Sequence, residues 1–156
     1  MIGDWRGPVR YVLTDPHRLV DVPGAMDRWS VRLLPLLPLV LHTTVRAGPD
    51  PDVFVHPTRL TALGLPLTTS TERFVIGPGG KAATLEGAQR RWPSWWRTHP
   101  MKGGVVVGDD AASAVYRMDL LGAEMVMRNR VVGEGRLEVV QDTSYSRLSL
   151  VLARHA

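Results

Sequence analysis

Four short runs near the C-terminus, separated by turn residues, constrain this chain more than anything else in it. From position 114 it reads AVYRMDLL, GA, EMVMRNRVV, GEG, RLEVVQD, TS and YSRLSLVLAR. Polar and apolar residues alternate within each run, the period of a strand with one face in a core, and the breaks are short enough only for hairpins. The last run keeps the period of two to its end, so it reads as a strand and not as a helix.

The registers of these hairpins test one another. A two-residue turn at Gly122-Ala123 sets Tyr116 opposite Asn129, Met118 opposite Met127 and Leu120 opposite Met125. A three-residue loop at 133–135 sets Val131 against Leu137, Asn129 against Val139 and Met127 against Gln141, with Arg130 facing Glu138 on the other side. A Thr143-Ser144 turn then puts Gln141 opposite Ser146, Val139 opposite Leu148 and Leu137 opposite Leu150. All three loops preserve one face, which a single-residue slip would destroy. The inward face is apolar except at Tyr116, Asn129, Gln141 and Ser146; the outward face carries Arg117, Asp119, Glu124, Arg128, Arg130, Glu138, Asp142 and Arg147. One flaw is that Arg117 faces Arg128, a like-charge pair that Asp119 must offset diagonally.

Upstream, positions 72–76 and 81–86 flank Gly77-Pro78-Gly79-Gly80 as a hairpin. Positions 9–13, 40–45, 53–55 and 105–107 read as further strands, and 25–34 as a helix that stops before Pro35. So many antiparallel strands must close on themselves or wrap a helix to hide their edges. The 156 residues, 44% of them hydrophobic, suffice for one core without staples. The expected fold is therefore all-β and mainly antiparallel, one up-and-down barrel domain over 1–156 with about 8–10 strands around a ligand cavity. The alternative is a helix-grip α+β sheet of the START or polyketide-cyclase kind, disfavoured because no C-terminal helix is written.

Gly3-Asp4-Trp5 resembles the Gly-x-Trp that opens the first strand of lipocalins and related calycin barrels, and Arg154 in the last run matches the cation that packs on that Trp. The resemblance covers the two chain ends and the final meander, and implies a calycin-like barrel with a ligand cavity. The stretch 16–66, with eight prolines, departs from that pattern.

The chemistry available is narrow. There is no cysteine, hence no thiolate nucleophile, no Cys-ligated metal and no disulfide, which fits a reducing, cytoplasmic compartment. The start, MIGDWRGPVRY, carries Asp4 and no apolar h-region, so no signal peptide is read. The longest apolar stretch, 31–41, contains Arg32 and two prolines and is too short to span a membrane. Nineteen basic against 15 acidic residues give a net charge of +4, but the bases never cluster beyond Arg90-Arg91, so no nucleic-acid surface is expected. The five histidines, His17, His42, His56, His99 and His155, show no metal-ligand spacing and no carboxylate neighbour in sequence, and read as structural or surface residues. No cofactor or metal is called for.

Two features remain. Tyr116, Asn129, Gln141 and Ser146 interrupt an apolar face, where each needs a partner; they form either cross-strand hydrogen bonds, Tyr116 with Asn129 and Gln141 with Ser146, or the convergent polar groups of a small-molecule pocket, with Met118 and Met127 as adaptable packing. Trp92, Trp95 and Trp96 surround Pro93 and cannot share one core from a strand; they read as a lid that stacks on a ligand, with Arg91 and Arg97 attracting an anion, as a plug, or as a protein interface such as a homodimer's. The expected ligand is a hydrophobic small molecule with a carboxylate. The expected activity is cofactor-independent cyclisation or isomerisation in a shaped apolar pocket, with Tyr116, Asn129 and Gln141 as the hydrogen-bonding catalytic groups. The alternative is a non-catalytic carrier or sensor of a hydrophobic ligand.

Overall fold

The computed structural model describes residues 2–110, 112–120 and 123–155, without the side chain of Leu120. Ten antiparallel strands close into a barrel in which each pairs with its sequence neighbours and the last returns to the first. They are β1 (Gly3–Leu13), β2 (Leu39–Ala47), β3 (Val53–Ala62), β4 (Leu65–Ile76), β5 (Ala82–Arg91), β6 (His99–Val107), β7 (Ser113–Leu120), β8 (Ala123–Val131), β9 (Arg136–Asp142) and β10 (Ser146–His155). Closure leaves no free edge. The C-terminal segment is a strand paired with β1, so the barrel and not the helix-grip sheet is formed.

The β1–β2 connection carries the 3-10 turns Pro16–Asp21 and Leu34–Leu36 around the one α-helix among the described residues, α1 (Ala25–Leu33). Asp27 lies in its first turn and Arg32 in its last, both favourable to the helix dipole, and Pro35 follows its end. Asp27, Ser30 and Val31, spaced three and four apart, form its buried face. With Leu19, Val22 and Tyr145 this segment makes a small core that covers one barrel end.

The final meander keeps the expected face. The β8–β9 register is the expected one, Met127 opposite Gln141 and Arg130 opposite Glu138. The other two registers differ by two residues: Tyr116 faces Met127 and Met118 faces Met125, while Leu148 faces Gln141 and Leu150 faces Val139. An even shift leaves every side chain on its own face. At β7–β8 it removes the Arg117–Arg128 clash: Arg117 reaches Glu124 at 3.2 Å and Arg128 reaches Asp142 at 3.0 Å. The expected Gly122-Ala123 turn falls, at Gly122, outside the described residues. At β9–β10 the turn takes four residues, because Thr143 Oγ1 accepts from the Ser146 amide at 3.1 Å while its own N–H donates to the Ser146 carbonyl at 2.9 Å.

Trp5 and Arg154 stand opposite each other on β1 and β10, and Trp5 is buried with Leu137, Leu148, Leu150 and Leu152. Leu85, Met101, Val105, Ala114, Tyr116, Met118 and Met125 pack the other side. Glycines let neighbouring strands approach closely: a Cβ at Gly103 would collide with the Arg117 carbonyl and the Met118 backbone, and one at Gly7 with the Val151 carbonyl.

Candidate binding cavity and its polar wall

The inner wall has two unlike halves. Alternation along β2 to β5 turns Thr43, His56, Thr58, Thr68, Ser70, Glu72, Gln89 and Arg91 inward, and the register aligns Thr43, Thr58, Ser70, Gln89 and His99 in one row across five strands. Strands β7 to β10 contribute Met118, Met125, Met127, Leu137, Val139, Leu148 and Leu150, relieved by Asn129 and Gln141. Between them lies a cavity of about 180 Å³. Its anatomy, an apolar body with a few converging polar groups, is that of a small-molecule site.

The middle of the polar wall is a hydrogen-bonded cluster. His56 and Glu72 are directly opposite on β3 and β4. His56 Nδ1 lies 3.3 Å from Glu72 Oε2, an ion-pair distance without hydrogen-bond alignment. Glu72 Oε1 accepts from Ser70 Oγ at 2.6 Å. On its other edge His56 Nε2 meets Thr43 Oγ1 at 2.6 Å, and that hydroxyl is also 2.8 Å from Thr58 Oγ1 and 3.3 Å from the Pro57 carbonyl. The His56 ring packs on Phe74, which meets Tyr116 edge to face. Two buried acceptors here have no hydrogen bond, Glu72 Oε2 and Asn129 Oδ1. Each costs on the order of 1–3 kcal/mol unless a donor arrives.

Nearer the helix-capped end stands Arg91, the last residue of β5 and only 9% exposed. Among the described residues no carboxylate forms an ion pair with it. Its charge is felt by the Tyr11 and Tyr145 phenols and by His99. Burial pushes the Tyr11 hydroxyl up to about 12, against the opposing effects of Ser146 and of the Arg91 charge. Burial likewise raises Tyr145, opposed chiefly by Arg91. Thr143 Oγ1 and Ser146 Oγ, 2.8 Å apart, interact in turn with Tyr145 and Tyr11.

The cap is fastened to the β5–β6 loop. Ser94 Oγ donates to Asp27 Oδ1 at 2.7 Å, and the Trp29 and Trp92 rings meet at 5.5 Å. Asp27 is 1% exposed, and its Oδ2 has no hydrogen-bond partner. His99 lies nearby; burial pulls it below the ordinary histidine range, opposed by the Asp27 charge.

The residues singled out from sequence divide three ways. Asn129, Gln141, Ser146, Met118 and Met127 line the cavity. Tyr116 is packed within the wall, its hydroxyl raised by burial and opposed by an interaction with Asn129. With Tyr116 opposite Met127, Asn129 is its diagonal neighbour and not its direct one. Ser146 bonds to Thr143, in place of the expected Gln141 partnership, because the longer turn moves Leu148 opposite Gln141. Trp92, Trp95, Trp96 and Arg97 lie off the cavity lining, in the loop between β5 and β6: Trp92 packs on α1, Trp95 is half-buried and Trp96 is 69% exposed. Sequence reasoning read Arg91 with Arg97 as an anion-attracting pair beside the tryptophans, whereas Arg91 alone of the two lines the cavity. It missed Thr43, His56 and Glu72. Their signal was the period-two pattern His56, Thr58, Leu60, Ala62 against Thr68, Ser70, Glu72, Phe74, hidden by Pro57 within the strand.

The ten strands form a closed, antiparallel, all-β barrel around a cavity, consistent with a calycin-like fold. No family model and no curated protein matches the chain. Among solved structures, 47 chains are similar. One, described as a REP1-NXSQ fatty acid transporter, has a TM-score of 0.54 at 12% identity, over 99% of this chain and 96% of that one. At that identity the likeness is one of fold.

Proposed function

We propose that this barrel takes up an apolar small molecule with an anionic head, seats the head at Arg91 and the body against the methionine- and leucine-lined wall, and isomerises or cyclises it without a cofactor. The observation that carries the ligand class is Arg91 itself. A buried guanidinium is expensive without a counter-charge, and among the described residues Arg91 forms no ion pair while its charge acts on the Tyr11 and Tyr145 phenols and on His99. A carboxylate or sulfonate would complete the site with charge-assisted hydrogen bonds. Support for the fold's use comes from the similarity to the fatty acid transporter, whose description names an apolar acid as cargo. What favours chemistry over carriage is the acid–base cluster within the same cavity, which simple solubilisation of a lipid does not need.

The test uses two dyes with one ring system, anilinonaphthalenesulfonate and the uncharged phenylnaphthylamine. The expected result is at least tenfold tighter binding of the sulfonate, about 1.4 kcal/mol, with the preference abolished by Arg91→Gln. Equal affinity of both dyes for the unsubstituted protein would overturn the anionic-head assignment. Mass spectrometry of ligand that copurifies, before and after incubation, separates conversion from carriage.

A further inference from the structure

We propose that His56 is a proton-transferring base for apolar carbonyl compounds, positioned by Glu72 and released for work by Thr43; this rests on the cavity reading above and names the reaction within it. A hydroxyl, an imidazole and a carboxylate stand in line on three neighbouring strands, all facing the cavity: Thr43 Oγ1 at 2.6 Å from Nε2, and Glu72 Oε2 at 3.3 Å from Nδ1. Glu72 is itself held by Ser70 at 2.6 Å and is 6% exposed. In the tautomer that carries its proton on Nδ1, on the Glu72 side of the ring, the lone pair sits on Nε2 and faces the Thr43 hydroxyl.

Thr43 is what makes the lone pair available. Its hydroxyl lies within reach of the Pro57 carbonyl and of Thr58 Oγ1 as well as of the imidazole. When a ligand carbon–hydrogen bond approaches Nε2, the Thr43 proton turns to one of those oxygens and no buried hydroxyl is orphaned. A hydroxyl held only by the histidine would block the base.

The substrate class follows from what the cavity offers: a base, neutral hydroxyl donors and apolar walls. A β,γ-unsaturated carbonyl compound suits it. Nε2 takes the proton from the carbon between carbonyl and alkene. The electron pair of that bond forms a new carbon–carbon double bond, the charge passes to the carbonyl oxygen, and the Thr58 hydroxyl donates to it. The imidazolium, balanced by Glu72, returns the same proton to the far alkene carbon, and the carbonyl re-forms conjugated. Atoms and electrons balance, no co-reactant enters, and the base ends as it began.

The experiment follows the absorbance of conjugated cyclohexenone formed from β,γ-cyclohexenone, with anilinonaphthalenesulfonate binding measured on the same samples. The expected result is conversion by the unsubstituted protein, inhibited by the dye, and a loss of about 100-fold in His56→Gln, the lower range for general-base catalysis, with dye affinity retained. His56→Ala should regain rate when imidazole is added. Glu72→Gln should lower kcat with KM little changed. No conversion by the unsubstituted protein, or equal rates in His56→Gln, overturns the base while intact dye binding leaves the ligand reading standing. Loss of the sulfonate preference alone overturns the anionic-head assignment and leaves the base.

Discussion

The Ser94 hydroxyl reaches across one end of the barrel to the Asp27 carboxylate, 67 residues away in sequence and 2.7 Å away in space. One buried hydrogen bond thereby joins α1 to the β5–β6 loop, above the cavity. Among the described residues it is the only hydrogen bond to this carboxylate, whose second oxygen lacks a partner.

Ser94→Ala should therefore destabilise the protein by about 2 kcal/mol, the cost of leaving a buried acceptor unmet. For a chain of this size that lowers Tm by roughly 4–8 °C. Thermal denaturation followed by circular dichroism reads the shift, and an unchanged Tm would show that the cap is held by the Trp29–Trp92 contact instead.

Asp142 joins three strands through charge: Arg147 Nε lies 2.7 Å from Oδ1, and Arg128 Nη1 lies 3.0 Å from Oδ2. The hydrogen bond from Arg147, followed by the smaller effects of its charge and of Arg128, lowers the Asp142 pKa despite burial. In the folded state the group binds its proton less readily than in the unfolded chain. Its stabilisation is thus present above the ordinary carboxylate range, near pH 4, and is lost as pH falls through the lowered value. Asp142→Asn should cost about 1 kcal/mol at pH 7, given the exposure of both arginines, and nothing once the pH has fallen below the lowered value. Urea unfolding at the two pH values checks both halves.

How far such features were legible depends on what local residues can encode. The inward and outward faces of β7 to β10 were written in the alternation, and the β8–β9 register was correct because Gly133 and Gly135, both at positive φ, fix that loop's length. The β9–β10 register was misread because Tyr145, an apolar residue, belongs to the turn; Thr143 organises it through side-chain contacts to backbone that no dipeptide rule announces. The Leu63-Gly64 turn between β3 and β4, with φ of 51° and 81°, carries half of the usual signal.

The cavity was legible only on its apolar side. Tyr116, Asn129, Gln141 and Ser146 stood out because they broke an apolar pattern. His56 and Glu72 are 16 positions apart and meet only because the β3–β4 pairing sets them opposite. Arg91 looked like half of a basic pair with Arg90; strand alternation turns Arg90 out and Arg91 in.

At Gly103 the wall of β6 touches the β7 backbone so closely that any side chain must displace Arg117 or Met118. Gly103→Ala should cost about 3 kcal/mol, the upper range for overpacking, and lower Tm by roughly 6–12 °C. Gly64→Ala probes a different property, because a Cβ there meets nothing within 4 Å and only its φ of 81° is strained; its cost should stay near 1 kcal/mol. Similar losses at both sites would refute the close-approach account of Gly103.

Arg91 should trade stability for binding. Removing a buried charge that has no ion-pair partner relieves a desolvation cost, so Arg91→Met should raise Tm in buffer without ligand, by an amount equivalent to about 1–3 kcal/mol. The same variant should forfeit the gain that an anionic ligand gives the native protein, which at a hundredfold excess over Kd is about 2.7 kcal/mol. The two curves should therefore cross: the variant melts higher without anilinonaphthalenesulfonate, and the native protein melts higher with it. A structural arginine would give the opposite first result, a variant less stable under every condition, because its methylene packing and its contact with Tyr145 would be lost with nothing relieved.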